Sequence, residues 1–234
     1  MTQGHTRTHD PALAGFGGAL PGEAHPQEEL LEGMRRLWAD FEFDDGWLEH
    51  FYGAVGVESR HMALPLEEYF SIDGFGDAND HWIRCASKLG SDAVVEACRD
   101  AGIEPAELDA LFFTTVTGVA SPSIDAAIIN KLELGRRVDR VPMFGLGCVG
   151  GAAGTARMAD YLRGHPDRTA ALVAVELCSL TVERSRPEIV DMIAGALFGD
   201  GAACLVGAGA ERADDFDAGP RVAATRSAFY RDTE

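Results

Sequence analysis

The residue with the clearest chemical potential is Cys148, in the segment FGLGCVGGAAG at residues 144–154. The segment ends a predicted buried strand, and the cysteine falls in the first turn of a predicted helix, where free N–H groups and the helix dipole favour a thiolate. Glycines at positions 145, 147, 150, 151 and 154 would clear the approach of an acyl thioester and let backbone N–H groups face its oxyanion. The pattern therefore indicates a cysteine nucleophile. The alternative is an inert thiol in a tightly packed helix.

Strand-like and helix-like patterns alternate along the chain and would position this cysteine at one end of a sheet. Strands are predicted in short apolar runs, at residues 12–20, 110–116, 140–144, 169–177, 202–206 and 221–228. Helices are predicted where apolar residues recur at helical spacing, at residues 27–38, 47–51, 79–101, 121–135, 148–162 and 189–197. Strands separated by helices imply right-handed crossovers, and so an α/β fold with a largely parallel sheet flanked by helices.

The composition excludes several classes of protein. The 234 residues contain 38 acidic and 20 basic side chains, a net charge of −18 that would repel nucleic acids and anionic lipid surfaces. Although 46% of the residues are hydrophobic, no run approaches the roughly 20 apolar residues of a membrane span. The first ten residues lack the apolar core of a secretory signal. We therefore expect a cytoplasmic protein with no nucleic-acid or membrane partner.

The cysteines also argue against disulfides and metal sites. There are five, an odd number, and they form no CxxC pair. No histidine lies at metal-ligand spacing from any of them. We expect free thiols and neither a metal nor a resident cofactor.

Taken together, six segments resemble the type III polyketide synthases, the chalcone and stilbene synthase family, and the bacterial members in particular. In chain order they are GVESRHMALPLEEY, FGDANDHWI, TTVTGV, RVPMFGLGCVGGAAG, VELCSLT and ALFGDGAACLVG. The resemblance covers nearly everything from Ala12 onward. It implies a thiolase-like fold, of which this chain would be the N-terminal αβα half, with a largely parallel mixed sheet flanked by helices.

The resemblance also implies roles for individual residues. Cys148 matches the nucleophile that accepts an acyl group from acyl-CoA for decarboxylative condensation with malonyl-CoA. Phe198 matches the gatekeeper aromatic residue, although a core phenylalanine before a turn is the alternative. Val116, Cys178 and Thr181 match positions that line the elongation cavity, and Cys178 could equally be an inert second thiol.

Recognition of CoA is where the sequence departs from the family pattern. The basic residues that plant members use for the CoA phosphates fall near Trp47, His50 and Ala54, which carry at most one titratable charge. Cations elsewhere could come from Arg35, Arg36, Arg60 and the basic stretch at 136–140, or these could be ordinary solvated arginines.

The expected domain boundaries follow from the same comparison. Residues 1–11 are predicted to form a disordered tail, 12–219 the synthase-like N-terminal domain, and 220–234 the start of a C-terminal half. The family places its catalytic histidine and asparagine in that C-terminal half, so we expect this chain to be incompetent for condensation alone. Resemblance also implies a homodimer, with an apolar contact at residues 119–129.

Three alternatives remain open at this point. The chain could be a non-catalytic N-terminal fragment or interaction half, which the absent histidine and asparagine favour. It could be a ketoacyl synthase III-like condensing enzyme, which shares the cysteine at a helix start and the FGDG turn, although GVESRHMALPLEEY and GLGCVGG argue against this. A cysteine hydrolase acting on thioesters is the third alternative.

Overall fold

The computed structural model describes residues 9–22, 24–41, 45–185, 187–217 and 219–231. Most of the predicted disordered tail, residues 1–8, lies outside this part of the chain. The described strands are β1 Ala12–Ala19, β2 Ala24–Pro26, β3 Ser59–His61, β4 Ala110–Thr115, β5 Asp139–Phe144, β6 Thr169–Leu177 and β7 Asp200–Ala208. The described α-helices are α1 Gln27–Leu37, α2 Asp45–Ala54, α3 Leu66–Tyr69, α4 Gly74–Ala101, α5 Ile124–Lys131, α6 Gly150–Gly164 and α7 Ile189–Leu197.

The central sheet has five strands in the order β1-β7-β6-β4-β5. Strand β4 pairs in parallel with both β5 and β6, whereas β7 pairs antiparallel with both β6 and β1. The sheet is therefore mixed, and its parallel half is the half that leads to Cys148. A separate two-stranded sheet joins β2 to β3.

Helices cover both faces of the central sheet, which gives the expected αβα layers. Helix α4 packs on one face, where Trp82 and Val94 meet Phe113 of β4 in the main core. Helix α6 packs on the other face, where Met158 contributes to a second core with strands β4 and β6. Every residue of β4 is buried, because helices cover it on both sides. A third core forms among α1, α2 and α7.

Three predicted helix starts are wrong. Helix α4 begins at Gly74, not at Asn79 or Asp80, because the Asp77 carboxylate accepts the Asp73 N–H and stabilises an earlier first turn. Helix α5 begins at Ile124, since the backbone is still extended at Ser123. The α-helix predicted from Cys148 begins at Gly150 and follows a short 3-10 turn, Gly147–Val149.

The strand predicted at 221–228 is also wrong. Arg221 makes one isolated antiparallel bridge to Ala12 on the edge strand β1, and the described residues after it, up to 231, have no regular structure. Backbone hydrogen bonds join Leu13 to Gly219 and Pro220, and Pro11 to Val222. A strand needs a continuous partner strand, and residues 223–228 pair with no strand in the described part of the chain.

Elsewhere the predicted elements are confirmed. The helix predicted at 47–51 is longer at both ends, because it begins at Asp45 and runs through Gly53 to Ala54. Gly102 ends α4 in the left-handed conformation, with φ of 74°. The helices of the described residues are too short or too polar to cross a bilayer.

Candidate active site

Cys148 lies on the connection between β5 and α6, in the 3-10 turn Gly147–Val149. Gly145 and Gly147 both have positive φ, 84° and 55°, which side-chain-bearing residues adopt only with strain. The alternating glycines therefore specify the turn that carries the chain from the sheet to the helix. Cys148 is exposed at this turn, one 3-10 turn before α6.

The other glycines of the motif do not all clear space around the sulfur. A Cβ added at Gly150 would lie 2.8 Å from Oγ1 of Thr114 on β4, and a Cβ at Gly154 would lie 2.6 Å from Cδ1 of Leu172 on β6. A Cβ at Gly151 would meet open space. Gly150 and Gly154 thus let α6 approach the sheet closely, as the tight-packing alternative predicted. This close approach holds the Cys148 turn against the ends of the parallel strands.

Cys148 differs from the other four cysteines in its environment. All five are free, but Cys98 and Cys204 are buried, Cys85 and Cys178 are partly buried, and only Cys148 is exposed. Burial raises the pKa of each of the other four thiols, to about 12 for Cys178. The negative charges of Asp200 and Glu176 raise the pKa of Cys178 further. Cys148 is therefore the accessible thiol of the site.

Hydrogen bonds from β6 and α4 hold the loop after β4. The Glu176 carboxylate of β6 accepts the Val116 N–H at 3.1 and 3.2 Å. Thr117 Oγ1 accepts the Leu177 N–H at 2.9 Å and the Trp82 indole N–H at 3.2 Å. These bonds fix the backbone of residues 116 and 117, while the Val116 side chain remains exposed.

The four predicted cavity residues lie along two adjoining cavities. Val116 and Thr181 line a wide cleft of about 690 Å³ that also contains Phe144, the last residue of β5. Cys178 and Phe198 line a narrow apolar cavity of about 50 Å³. Two residues, Val182 and Arg184, line both, so the cavities share a wall.

Phe198 follows directly after α7 and is held by hydrogen bonds to the carbonyl end of that helix. The Arg60 guanidinium donates to the Phe198 carbonyl at 2.8 Å and to Gln27 Oε1 at 3.1 Å. Gln27 and Tyr52 donate to two further carbonyls at 2.8 and 2.9 Å, those of Ala196 and Gly195. Arg60 is 6% exposed and engaged within the protein. The interpretation of Arg60 as a surface cation is therefore wrong, and its role as the anchor of Phe198 was not predicted.

A second buried network joins three of the sequence motifs. Asp200, in the FGDGA segment, is the first residue of β7 and not part of a tight turn. It accepts the N–H of Ser179 at 2.9 Å and the N–H of Ala63 at 2.6 Å, and also binds the Ser179 hydroxyl. The Ser179 hydroxyl in turn lies 2.5 Å from the Tyr69 hydroxyl. Burial raises the pKa of Asp200, although these hydrogen bonds oppose the shift. The sequence reasoning did not nominate this network, yet each member lies in a segment that carries the family resemblance.

The positions that the family pattern assigns to CoA phosphates offer little charge in the structure. Trp47 and His50 belong to an aromatic group on α2 with Phe51, with ring centroids 5.6 to 6.4 Å apart. In the 136–140 stretch, Arg140 makes a two-pronged salt bridge to the buried Asp125. Among the described residues, no group of three or more His, Cys, Asp or Glu side chains could hold a metal ion.

Comparison with known proteins identifies the family. Residues 10–210 match the model of the N-terminal domain of chalcone and stilbene synthases. The chain belongs to the chalcone and stilbene synthase family. This confirms the resemblance, since the matched range contains Cys148, all four predicted cavity residues and both buried networks.

Relatives in this family include bacterial type III enzymes. A 1,3,6,8-tetrahydroxynaphthalene synthase from Streptomyces peucetius subsp. caesius is 44% identical over 92% of this chain and 57% of its own length. A putative chalcone synthase from Bacillus subtilis is 31% identical over 95% of this chain and 63% of its own length. The chain thus spans less than two thirds of each of these relatives.

Solved structures agree with the fold. The crystal structure of 1,3,6,8-tetrahydroxynaphthalene synthase from Streptomyces coelicolor A3(2), described as a bacterial type III polyketide synthase, superimposes with a TM-score of 0.76 at 28% identity. The superposition covers 83% of this chain and 56% of that one. The expected thiolase-like α/β fold of the type III polyketide synthases is confirmed.

Proposed function

We propose that this chain carries the nucleophilic half of a type III polyketide synthase site, in which Cys148 accepts an acyl group from acyl-CoA. The observation that supports this most directly is that Cys148 is the exposed thiol on a glycine-specified turn, whereas burial raises the pKa of the other four. A thiolate nucleophile must be reachable by its substrate, and Cys148 meets that requirement.

The first step is thioester exchange. The Cys148 thiolate attacks the thioester carbonyl, the carbon–sulfur bond to CoA breaks, and the CoA thiolate leaves and takes a proton from water. Backbone N–H groups at the start of α6 are the candidate donors to the oxyanion that forms in between. The acyl group then remains on Cys148 as a new thioester.

The second step, in the complete synthase, is decarboxylative condensation. Malonyl-CoA loses carbon dioxide, and the resulting carbanion attacks the acyl carbonyl on Cys148, which releases the thiolate. Val116 and Thr181 in the wide cleft, and Cys178 and Phe198 in the narrow cavity, would bound the space for the growing chain. The 44% identity to a tetrahydroxynaphthalene synthase makes its product the first to test.

The wider setting is part of the same proposal. Acyl-CoA thioesters are the substrates, and no resident cofactor takes part because the thiolate supplies the nucleophile. Free cysteines are typical of a reducing compartment, which supports a cytoplasmic location. A homodimer is proposed from the family. However, Ile124 and Ile128 of the predicted contact are buried in the core, so Val119 is the large apolar side chain left exposed there.

Acyl loading tests the proposal. The purified chain is incubated with acyl-CoA, and tryptic peptides are analysed by mass spectrometry. We expect the acyl mass on the Cys148 peptide, its loss in Cys148→Ala, and its retention in Cys85→Ala, a matched control at a partly buried thiol. Acylation that persists in Cys148→Ala would contradict the assignment.

A further inference from the structure

Arg184 stands out as a partly buried cation without its full set of hydrogen bonds. Its Nη1 donates to the Val182 carbonyl at 2.9 Å. Its Nε and Nη2 are buried and find no acceptor in the described part of the chain. Burial lowers the pKa of Arg184, which reflects the cost of holding this charge away from water.

The two unpaired atoms form one edge of the guanidinium. Nε–H and Nη2–H point in the same direction and match the two oxygens of a carboxylate. Arg140 uses the same edge on Asp125 in this protein, with distances of 2.5 and 3.1 Å. Arg184 therefore presents two unpaired N–H donors in the arrangement that binds a carboxylate in the Arg140–Asp125 pair.

Nearby acidic side chains do not fill this role. Glu183 accepts hydrogen bonds from the N–H and hydroxyl of Ser185. Asp77 accepts the N–H of Asp73 at the start of α4. The charges of Tyr69, Glu183 and Asp77 act on Arg184 and raise its pKa, against the effect of burial.

Arg184 also lies where a ligand would pass. It lines the wall shared by the wide cleft and the narrow cavity. The wide cleft extends to Phe144, four residues before Cys148. The narrow cavity is mostly apolar, and the cations that line it are Arg60 and Arg184. Arg60 is already engaged with Gln27 and Phe198. A carboxylate in this cavity would therefore pair with Arg184.

We propose that Arg184 recognises the free carboxylate of a dicarboxylic acyl thioester that binds in the wide cleft. This inference rests on the proposed function and specifies the substrate class of the same site. The carboxylate could belong to malonyl-CoA or to a longer dicarboxylic acyl-CoA, and the two are separated in the test.

The test measures binding without acyl transfer, in a Cys148→Ser background, by isothermal titration calorimetry. Succinyl-CoA and butyryl-CoA form a matched pair that differs by a carboxylate in place of a methyl group, and malonyl-CoA is the short dicarboxylic arm. We expect succinyl-CoA or malonyl-CoA to bind about 10- to 100-fold more tightly than butyryl-CoA, as for a hydrogen-bonded ion pair. The preferred arm identifies the source of the carboxylate.

Variants of the arginine decide the assignment. In Arg184→Met the preference should fall to about one, and Arg184→Lys should retain part of it because it keeps the charge without the fork. The exposed Arg99→Met is the control and should leave the preference unchanged. Equal binding of all three thioesters, or a preference that survives Arg184→Met, would overturn the inference.

A stability readout separates recognition from a structural role. Because two donors of Arg184 are buried and unpaired, Arg184→Met should unfold at the same temperature as the parent or a higher one. A clear fall in the unfolding temperature would mean that Arg184 supports the fold, against the inference. Arg184-dependent binding combined with no acylation of wild-type Cys148 would support the inference and contradict the proposed nucleophile.

Discussion

Arg60 offers a sharp test of how the site is held together. Its guanidinium is 6% exposed and donates to the Phe198 carbonyl at 2.8 Å and to Gln27 Oε1 at 3.1 Å. Arg60→Met keeps most of the aliphatic volume and removes both donors. The Phe198 carbonyl would then lose its side-chain partner, and Gln27 would lose the contact that orients its own bond to α7.

The expected loss of stability follows from those two bonds. Hydrogen bonds to charged groups contribute about 1.5–3 kcal/mol each, so full additivity gives about 3–6 kcal/mol. Bonds that share a partner are not additive, and removing a buried charge recovers part of its desolvation cost. We therefore expect a fall of about 2–4 kcal/mol in the free energy of unfolding. At a urea dependence of about 3 kcal/mol per molar, the midpoint should fall by about 1 M.

The assay is urea unfolding followed by tryptophan fluorescence. Arg36→Met is the matched control, because Arg36 is exposed and its salt bridge to Glu67 should contribute less than about 1 kcal/mol. A second measurement is the alkylation rate of Cys178, which shares the narrow cavity with Phe198 and should become more reactive when Phe198 loosens. An Arg60→Met protein with an unchanged urea midpoint would refute the anchoring role.

Three further outcomes are expected. At neutral pH iodoacetamide should label Cys148 first. Labelling of Cys178 should increase about tenfold per pH unit as pH rises toward its pKa of about 12, since only the thiolate reacts; peptide mapping across pH would reveal an early-reacting Cys178 if this is wrong. Gly154→Ala should lower the free energy of unfolding by about 1–3 kcal/mol through collision with Leu172. Gly151→Ala on the same helix should raise it by about 0.5–1 kcal/mol, and denaturant titration that ranks the two alike would contradict the packing role. Sedimentation velocity at micromolar concentration should give a homodimer, and a folded monomer would count against assembly through this chain.

The elements around the site were predictable because local pattern and burial agree. The run ALFFTT is apolar and rich in aromatic residues, and β4 is buried along its whole length. Gly102 was expected to end α4 and does so with a left-handed backbone. The predicted start of α5 was wrong because two nearby residues, Ser121 and Ser123, can both cap a helix, and the helix follows Ser123. The strand predicted at residues 221–228 was wrong because strand formation depends on a partner that sequence cannot supply.

The supports of the site could not be predicted because they join residues far apart in sequence. Arg60 and Phe198 are separated by 138 residues, and Ala63 and Asp200 by 137. No spacing rule relates such positions. The sequence around Arg60, GVESRHMAL, does not distinguish a solvated arginine from a buried one. Its contact with Phe198 in the folded protein identifies it as an anchor.

The glycine motif shows how one sequence signal can encode several physical requirements. Gly147 permits the turn at Cys148 through its positive φ, whereas Gly150 permits contact with Thr114 through its missing Cβ. The two requirements act on the same sulfur, because the turn exposes the thiol and the helix contact sets how close it lies to the sheet. A side chain at Gly150 would collide with Thr114 on β4 and push α6 away from the sheet. The backbone turn at Cys148 and the close approach of α6 to the sheet are therefore set by separate glycines.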